Sequence, residues 1–160
     1  MHGKYYPSRL TVDATEARKI AMKMLARREH GHQELYDKLL RKGCANSIVA
    51  ETVKKLASER LVSDDRFMET LIQARRNRGY GPVRIQKELQ EKGVMPEDIA
   101  RSLDPNDPEW FEDVRRVYRK KFGQQVPKSY SERARRARFL QYRGFTYDQI
   151  QRVLDPRGRD

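Results

Sequence analysis

Two runs of basic residues carry the chemistry that this sequence offers. Between Arg75 and Lys87 there are five arginines and lysines and no acid, and between Arg115 and Arg143 there are eleven against the single acid Glu132. Like charges this close together repel one another unless a partner neutralises them. The runs therefore indicate binding to a polyanion or to an acidic protein groove. The alternative is a solvated face that keeps a small helical protein soluble.

The candidate binding residues are the cations of these two runs together with one tyrosine. They are Arg75, Arg76, Arg78, Tyr80, Arg84 and Lys87 in the first run, and Arg115, Arg119, Lys120, Lys121, Arg133, Arg135, Arg136 and Arg138 in the second. Since a helix cannot place all of these on one side, we expect some to face inward or to pair with acids. Tyr80 has two open interpretations: stacking on a base or a partner side chain, or packing over its own turn.

The cations are not accompanied by residues typical of an active site. His30 and His32 flank a predicted helix break without a pattern of cysteines or carboxylates that completes a metal site, so we interpret them as surface residues of a turn. Residues 78–82 contain glycines but lack the ending and the preceding strand of a phosphate-binding loop. Cys44 is the only cysteine, which excludes an intrachain disulfide and favours a structural role. We expect a binding protein, not an enzyme, with no metal and no cofactor.

A pattern that recurs three times defines the elements that must position these cations. Its form is Leu-x3-Gly-x5-(Val/Ile)-x3-(Val/Leu), and its copies are Leu39, Gly43, Val49, Val53, then Leu89, Gly93, Ile99, Leu103, then Leu140, Gly144, Ile150, Leu154. Self-similarity at this period is typical of stacked copies of one supersecondary unit. Apolar residues fall at helical spacing throughout, and no strand pattern competes. The sequence predicts an all-α fold of three tandem three-helix repeats that resemble helix-turn-helix bundles.

The repeats are predicted at residues 13–60, 61–106 and 107–155, between loosely ordered segments at 1–12 and 156–160. Capping residues, prolines and glycines set the helix limits. Starts are predicted near Asp13, Asn46, Ser63, Pro82, Pro96, Asp107, Ser131 and Thr146, and breaks or ends at Gly31, Gly43, Gly93 and Gly144. Trp110 belongs to an apolar stripe and is predicted to lie in the core.

The composition of the chain bears on the cellular compartment in which the protein is expected. The chain is 37% hydrophobic with a formal net charge of +12, and no apolar run approaches the roughly 18 residues that span a bilayer. Residues 1–10 lack the apolar stretch of a secretory signal. We therefore expect a cytoplasmic protein that does not associate with membranes.

The charge distribution argues against a sequence-specific DNA reader. In helix-turn-helix proteins the second helix of the pair enters the major groove and contacts the bases. The equivalent helix of the second repeat carries Glu97 and Asp98 against Arg101, and that of the third carries Asp148 against Arg152. We therefore expect the working surface on the first two helices of the repeats and on the turns between them.

Four segments, in order along the chain, resemble the RecX family of bacterial proteins that regulate the RecA recombinase. They lie at residues 28–39, 61–67, 78–93 and 138–150, and the most specific begins Arg78-Gly79-Tyr80-Gly81-Pro82-Val83-Arg84-Ile85. Gly31 departs from the family pattern, because a capping Ser or Thr is expected there. The departure affects only the local helix cap.

The resemblance implies three three-helix repeats in an elongated, curved row, and inhibition of RecA. Such a monomer would bind the groove of the RecA–DNA filament, bridge neighbouring protomers and contact single- or double-stranded DNA. It would block filament extension and favour disassembly, and so inhibit ATP hydrolysis, strand exchange and co-protease activity during DNA repair and the SOS response. The alternative is a general DNA-binding module that competes for DNA without specific RecA contacts.

Overall fold

A computed structural model of the chain describes residues 12–155, and all the regular structure in that range is helical. The all-α prediction is confirmed. The helices are α1 (Ala14–Arg27), α2 (His32–Arg41), α3 (Asn46–Ser58), α4 (Asp64–Asn77), α5 (Pro82–Glu91), α6 (Pro96–Ser102), α7 (Glu109–Phe122), α8 (Tyr130–Arg143) and α9 (Tyr147–Leu154). The segments for which loose order is predicted, 1–12 and 156–160, lie outside the described residues except for Val12. No helix between residues 12 and 155 has the length and apolar composition needed to cross a membrane.

The chain divides into two compact units, and the division falls inside α4, between Phe67 and Met68. The predicted repeat boundaries at 60/61 and 106/107 therefore stay a prediction. In the first unit, α1, α2 and α3 pack on one another. Their core consists of Ala17, Ala21, Leu35, Leu39, Cys44, Val49, Val53, Leu56 and Val62. Three of the four positions of the recurring pattern supply apolar side chains to this core, which explains why the pattern predicts the fold.

The second unit begins at Met68 and contains the rest of α4 and the helices α5 to α9. α5 packs on α6, while α7 and α8 both pack on α9. The apolar pattern positions Leu89, Ile99 and Leu103, and likewise Leu140, Ile150 and Leu154, are buried. Trp110 is 4% exposed, and its indole N–H donates to the Asp104 carbonyl at 3.0 Å, so its predicted core position is confirmed.

Most of the predicted helix starts and ends agree with those in the structure. Asp13 accepts from the Glu16 N–H at 2.8 Å, and Thr146 forms a capping box with Gln149. Each glycine of the recurring pattern has a positive φ, between 83° and 98°, which a side chain would strain.

The predicted cap at Ser131 is wrong. α8 starts at Tyr130, and the hydroxyl of Ser129 accepts from the Glu132 N–H at 3.1 Å. Glu132 in turn accepts from the Lys128 N–H at 3.1 Å. The spacing Ser129-x-x-Glu132 is itself a helix-start signal, so the correct cap was present in the sequence.

Candidate polyanion-binding surface

The turn between α4 and α5 packs against the turn between α8 and α9 through the backbone. The Gly81 N–H donates to the Arg143 carbonyl at 2.7 Å, and the Val83 N–H donates to the Gly144 carbonyl at 2.9 Å. A Cβ on Gly81 would lie 2.5 Å from the Gly144 carbonyl, and one on Gly144 would lie 2.3 Å from the Cβ of Arg84. Both positions therefore require glycine. Gly81 is the N-cap of α5 and has no side chain to accept a hydrogen bond from the first turn. The Gly144 carbonyl accepts one from Val83 in its place.

Five side chains alternate across this junction, and we call them the cation–aromatic stack: Tyr142, Arg84, Tyr80, Arg143 and Phe139. The Arg84 guanidinium carbon lies 4.0 Å from the Tyr80 ring centroid and 5.4 Å from that of Tyr142. The Arg143 guanidinium carbon lies 5.4 Å from the Tyr80 centroid and 5.1 Å from that of Phe139. Tyr80 thus packs over its own turn, one of its two predicted interpretations, while stacking on a partner stays a prediction.

Neutral groups hold both arginines of the stack. Arg84 donates to the Tyr142 carbonyl at 3.4 Å, and Arg143 donates to the Arg78 carbonyl at 3.0 Å. Rings and carbonyls orient a guanidinium without cancelling its charge. The stack therefore presents two fixed positive charges that no carboxylate of residues 12–155 neutralises within ion-pair distance.

Two grooves border the stack. One, of about 710 Å³, is lined by Arg78, Tyr80, Arg84, Lys87 and Tyr142 and also by the acids Glu88 and Glu91. The other, of about 370 Å³, is lined by Asn77, Arg78, Gly79, Arg116, Val117, Lys120, Lys121, Phe139 and Arg143. We call the second one the basic groove, because five of its nine lining residues are cations and none is an acid.

Several predicted binding residues form ion pairs that hold the helices together, and their binding role stays a prediction. Arg75 forms two hydrogen bonds of 2.7 Å with Glu88, and these lower the pKa of that carboxyl. Arg76 donates to both oxygens of buried Asp113, at 2.7 and 3.0 Å. Carboxylates thus neutralise these two arginines within the fold.

Three further predicted residues of the second run also have partners within the fold. Arg136 is 6% exposed, pairs with Glu132 and donates to the Tyr118 hydroxyl at 2.6 Å. Arg133 donates to the Leu154 carbonyl at 3.2 Å, at the end of α9. Arg115 forms a surface ion pair of 2.5 Å with Glu112.

The other predicted cations remain at the surface. The exposed ones are Arg78, Lys87, Arg119, Lys120, Lys121, Arg135 and Arg138, and Arg84 is half-buried in the stack. Of these, Arg78, Lys120 and Lys121 come together in the basic groove, whereas Arg119 lines a separate groove with Arg115.

The prediction missed four residues of this surface: Arg116, Arg143, Phe139 and Tyr142. The two arginines belong to the second basic run. Their position opposite the α4–α5 turn depends on contacts between segments more than 30 residues apart, which no local sequence pattern reveals.

Acids pair with the cations of α6 and α9. Arg101 lies 2.7 Å from Asp98, and Arg152 lies 3.6 Å from Asp148. This pairing agrees with the expectation that the third helices of the second and third repeats are not basic readers.

The interpretation of His30 as a surface residue is wrong. Its ring is 2% exposed, with Nδ1 3.0 Å from the Arg28 carbonyl and Nε2 3.0 Å from the Lys38 ammonium. The ring lies inward beneath the turn, and burial lowers the pKa of His30.

Cys44 is buried as well, and burial raises the pKa of its thiol, in keeping with a structural role. No three His, Cys, Asp or Glu side chains are grouped to hold a metal ion within residues 12–155.

Three-helix domains whose cations converge on an open surface define a class, the basic helical-repeat proteins. Comparisons with known proteins identify the family within this class. Family models match the first, second and third three-helix domains of RecX, at residues 17–56, 63–103 and 107–154. The chain is 40% identical over 143 residues to the regulatory protein RecX of Pseudomonas syringae pv. tomato, with 89% of this chain and 92% of the relative covered. It is 41% identical, with the same coverage, to that of Pseudomonas putida KT2440. The chain belongs to the RecX family.

Solved structures show the same fold. The crystal structure of RecX from Lactobacillus salivarius matches with a TM-score of 0.72 at 20% identity, covering 90% of this chain and 96% of that one. A second crystal structure of a regulatory protein RecX matches with a TM-score of 0.71 at 19% identity, covering 89% and 71%. At these identities the match supports the fold, and the three-helix domain prediction is confirmed.

Proposed function

We propose that this protein is a negative regulator of the RecA recombinase that binds the groove of the RecA–DNA filament. Binding there blocks filament extension and promotes disassembly. ATP hydrolysis, strand exchange and co-protease activity fall as a result. The protein acts as a cytoplasmic monomer, without a cofactor, by occupying a surface and not by performing a reaction.

The observation that carries this proposal is the way the second unit holds its arginines. Arg84 and Arg143 are fixed by aromatic rings and carbonyls, and Arg78 and Lys120 stand beside them with no ion pair to residues 12–155. Keeping like charges together without carboxylates costs free energy in the free protein. A strongly acidic partner such as a nucleoprotein filament recovers that cost on binding.

The test is RecA ATPase activity on saturating single-stranded DNA, with the protein added far below the number of DNA sites. We expect inhibition at these amounts, because one molecule bound in the filament groove affects extension beyond the sites it covers. If inhibition appears only when the protein approaches the number of DNA sites, filament binding is excluded as the mechanism.

A general DNA-binding module is the second candidate, and the basic groove favours it because five cations line it without an acid. Such a module inhibits RecA only by occupying DNA. In the same assay its effect disappears when excess DNA is added at a constant RecA concentration, whereas inhibition through filament contacts persists.

A further inference from the structure

We propose that the basic groove binds the phosphodiester backbone of a nucleic acid strand, independently of base sequence. This proposal assigns one class of ligand to one groove and so deepens the proposed function. It rests on that function in one respect, which is that the RecA filament contains DNA. The occupant is argued from charge complementarity and from the way the lining side chains are held.

The lining charges belong to three helices that the fold brings together. Arg78 follows the end of α4, Lys120 and Lys121 lie in the last turn of α7, and Arg143 ends α8. The carboxyl ends of helices carry partial negative charge, which favours cations at these positions. Part of the cost of clustering them is thereby offset before any ligand binds.

The ligand must supply the remaining negative charge, because Arg78, Lys120 and Lys121 form no ion pair with any described residue. Arg116 is the exception: it lies 3.6 Å from Asp113 and donates to the Arg76 carbonyl at 3.4 Å. With Arg143, whose partners among the described residues are aromatic rings and a carbonyl, the groove holds four unneutralised charges, and these match a chain of regularly spaced phosphates.

The aromatic member of the groove supports cations and does not read a base. The centroid of the Phe139 ring lies 5.1 Å from the Arg143 guanidinium carbon, 5.5 Å from the Lys121 ammonium and 5.4 Å from the centroid of the Phe122 ring, which is nearly perpendicular to it. A ring surrounded in this way offers little face for stacking. Lysines provide non-directional charge that suits phosphates, and phosphate contacts carry no sequence information. The groove therefore holds a strand without selecting its bases.

The test is binding of a labelled mixed-sequence single-stranded oligonucleotide to the free protein, without RecA, followed by fluorescence anisotropy at several salt concentrations. The variant is Lys120→Gln with Lys121→Gln. Its matched control is Lys54→Gln with Lys55→Gln, an adjacent pair of lysines on α3 that are also exposed. Both variants lose two charges, so net charge alone affects them equally. Helical content by circular dichroism verifies that both are folded.

We expect the dissociation constant of the groove variant to rise about tenfold relative to the control, and its log–log salt slope to fall by about 1.4, since each lost contact to a single strand removes ~0.7. Arg78→Gln is expected to give about half of this change in slope.

Equal losses of DNA affinity in the groove and control variants would overturn the proposal, because the loss would then come from the lower net charge alone. Unchanged DNA affinity of the groove variant would also overturn it, because the groove would then not contact DNA. Neither result depends on whether the wild-type protein inhibits RecA below the number of DNA sites, so the two proposals fail separately.

Discussion

The turn at Gly31 and the turn at Gly81 are 50 residues apart and correspond in sequence, yet their arginines have different partners. In the first, Arg28 donates to both oxygens of buried Glu34, at 2.9 and 2.8 Å. In the second, the residue equivalent to Glu34 is Arg84, which stacks on Tyr80. One turn neutralises its arginine with an acid, and the other adds a second cation.

The two turns also cap their helices differently. Gly31 offers no side chain to α2, and the Asp64 carboxylate accepts from the His32 N–H at 2.8 Å instead. This explains how the chain tolerates glycine where a capping Ser or Thr is expected. At Gly81 the carbonyl of Gly144 accepts from Val83 in the same role. The acceptor at the first turn is a charged carboxylate, and the acceptor at the second turn is a neutral backbone carbonyl. Only the second turn therefore keeps its positive charge.

The largest effect is expected from alanine at the two N-cap glycines. Gly81→Ala places a Cβ 2.5 Å from backbone atoms of Gly144, which cannot move without breaking the junction, and should cost about 3 kcal/mol of unfolding free energy. Gly31→Ala meets side-chain atoms of Asp64 and Phe67 at 3.1 Å and no backbone atom as close, and its unfolding free energy should stay within about 1 kcal/mol of wild type. Urea denaturation followed by circular dichroism measures both. Equal losses would show that the two turns are packed alike.

The next effect concerns the equivalent residues Glu34 and Arg84. Glu34→Gln replaces a buried carboxylate that accepts two hydrogen bonds from Arg28 with a neutral amide and should cost about 1–2 kcal/mol of stability, with RecA inhibition unchanged. Arg84→Gln loses half-exposed contacts with two rings, together worth about 1 kcal/mol, but should weaken inhibition. Thermal denaturation and the ATPase assay together separate the two roles. A larger stability loss for Arg84→Gln than for Glu34→Gln would reverse the assignment.

The smallest effect is a pH dependence confined to the first turn. Burial lowers the pKa of His30 from its ordinary 6.5, and the charges of Arg28 and Lys38 lower it further, while the hydrogen bond with the Arg28 carbonyl and the charge of Glu34 raise it. Between the two pKa values the unfolded chain binds more protons than the folded one, so stability falls as the pH drops below 6.5 and levels off beneath the folded pKa. Melting temperatures at pH 7 and pH 5 should show this fall for the wild type and for His32→Gln. His30→Gln should show less of it, and an undiminished fall in that variant would contradict the account.

The fold was predictable because its signals are local. Leu39, Gly43 and Val53 set a helix face, a helix end and the next helix within fifteen residues, and each acts as its type predicts. The surface was only partly predictable. Arg76 and Arg78 are two residues apart in one basic run, but Arg76 pairs with Asp113, 37 residues away. Whether a cation meets an acid or an aromatic ring is decided by packing between segments distant in sequence.

We propose that Arg78 and Arg84, cations of the second turn that no carboxylate of residues 12–155 neutralises, contact the RecA filament. The most direct measurement is the concentration that half-inhibits RecA ATPase on saturating single-stranded DNA, for Arg78→Gln with Arg84→Gln against Lys54→Gln with Lys55→Gln. We predict that it rises at least about tenfold for the first pair, a loss of about 1.4 kcal/mol in binding, and stays near wild type for the second. Equal inhibition by the two folded variants would contradict the claim.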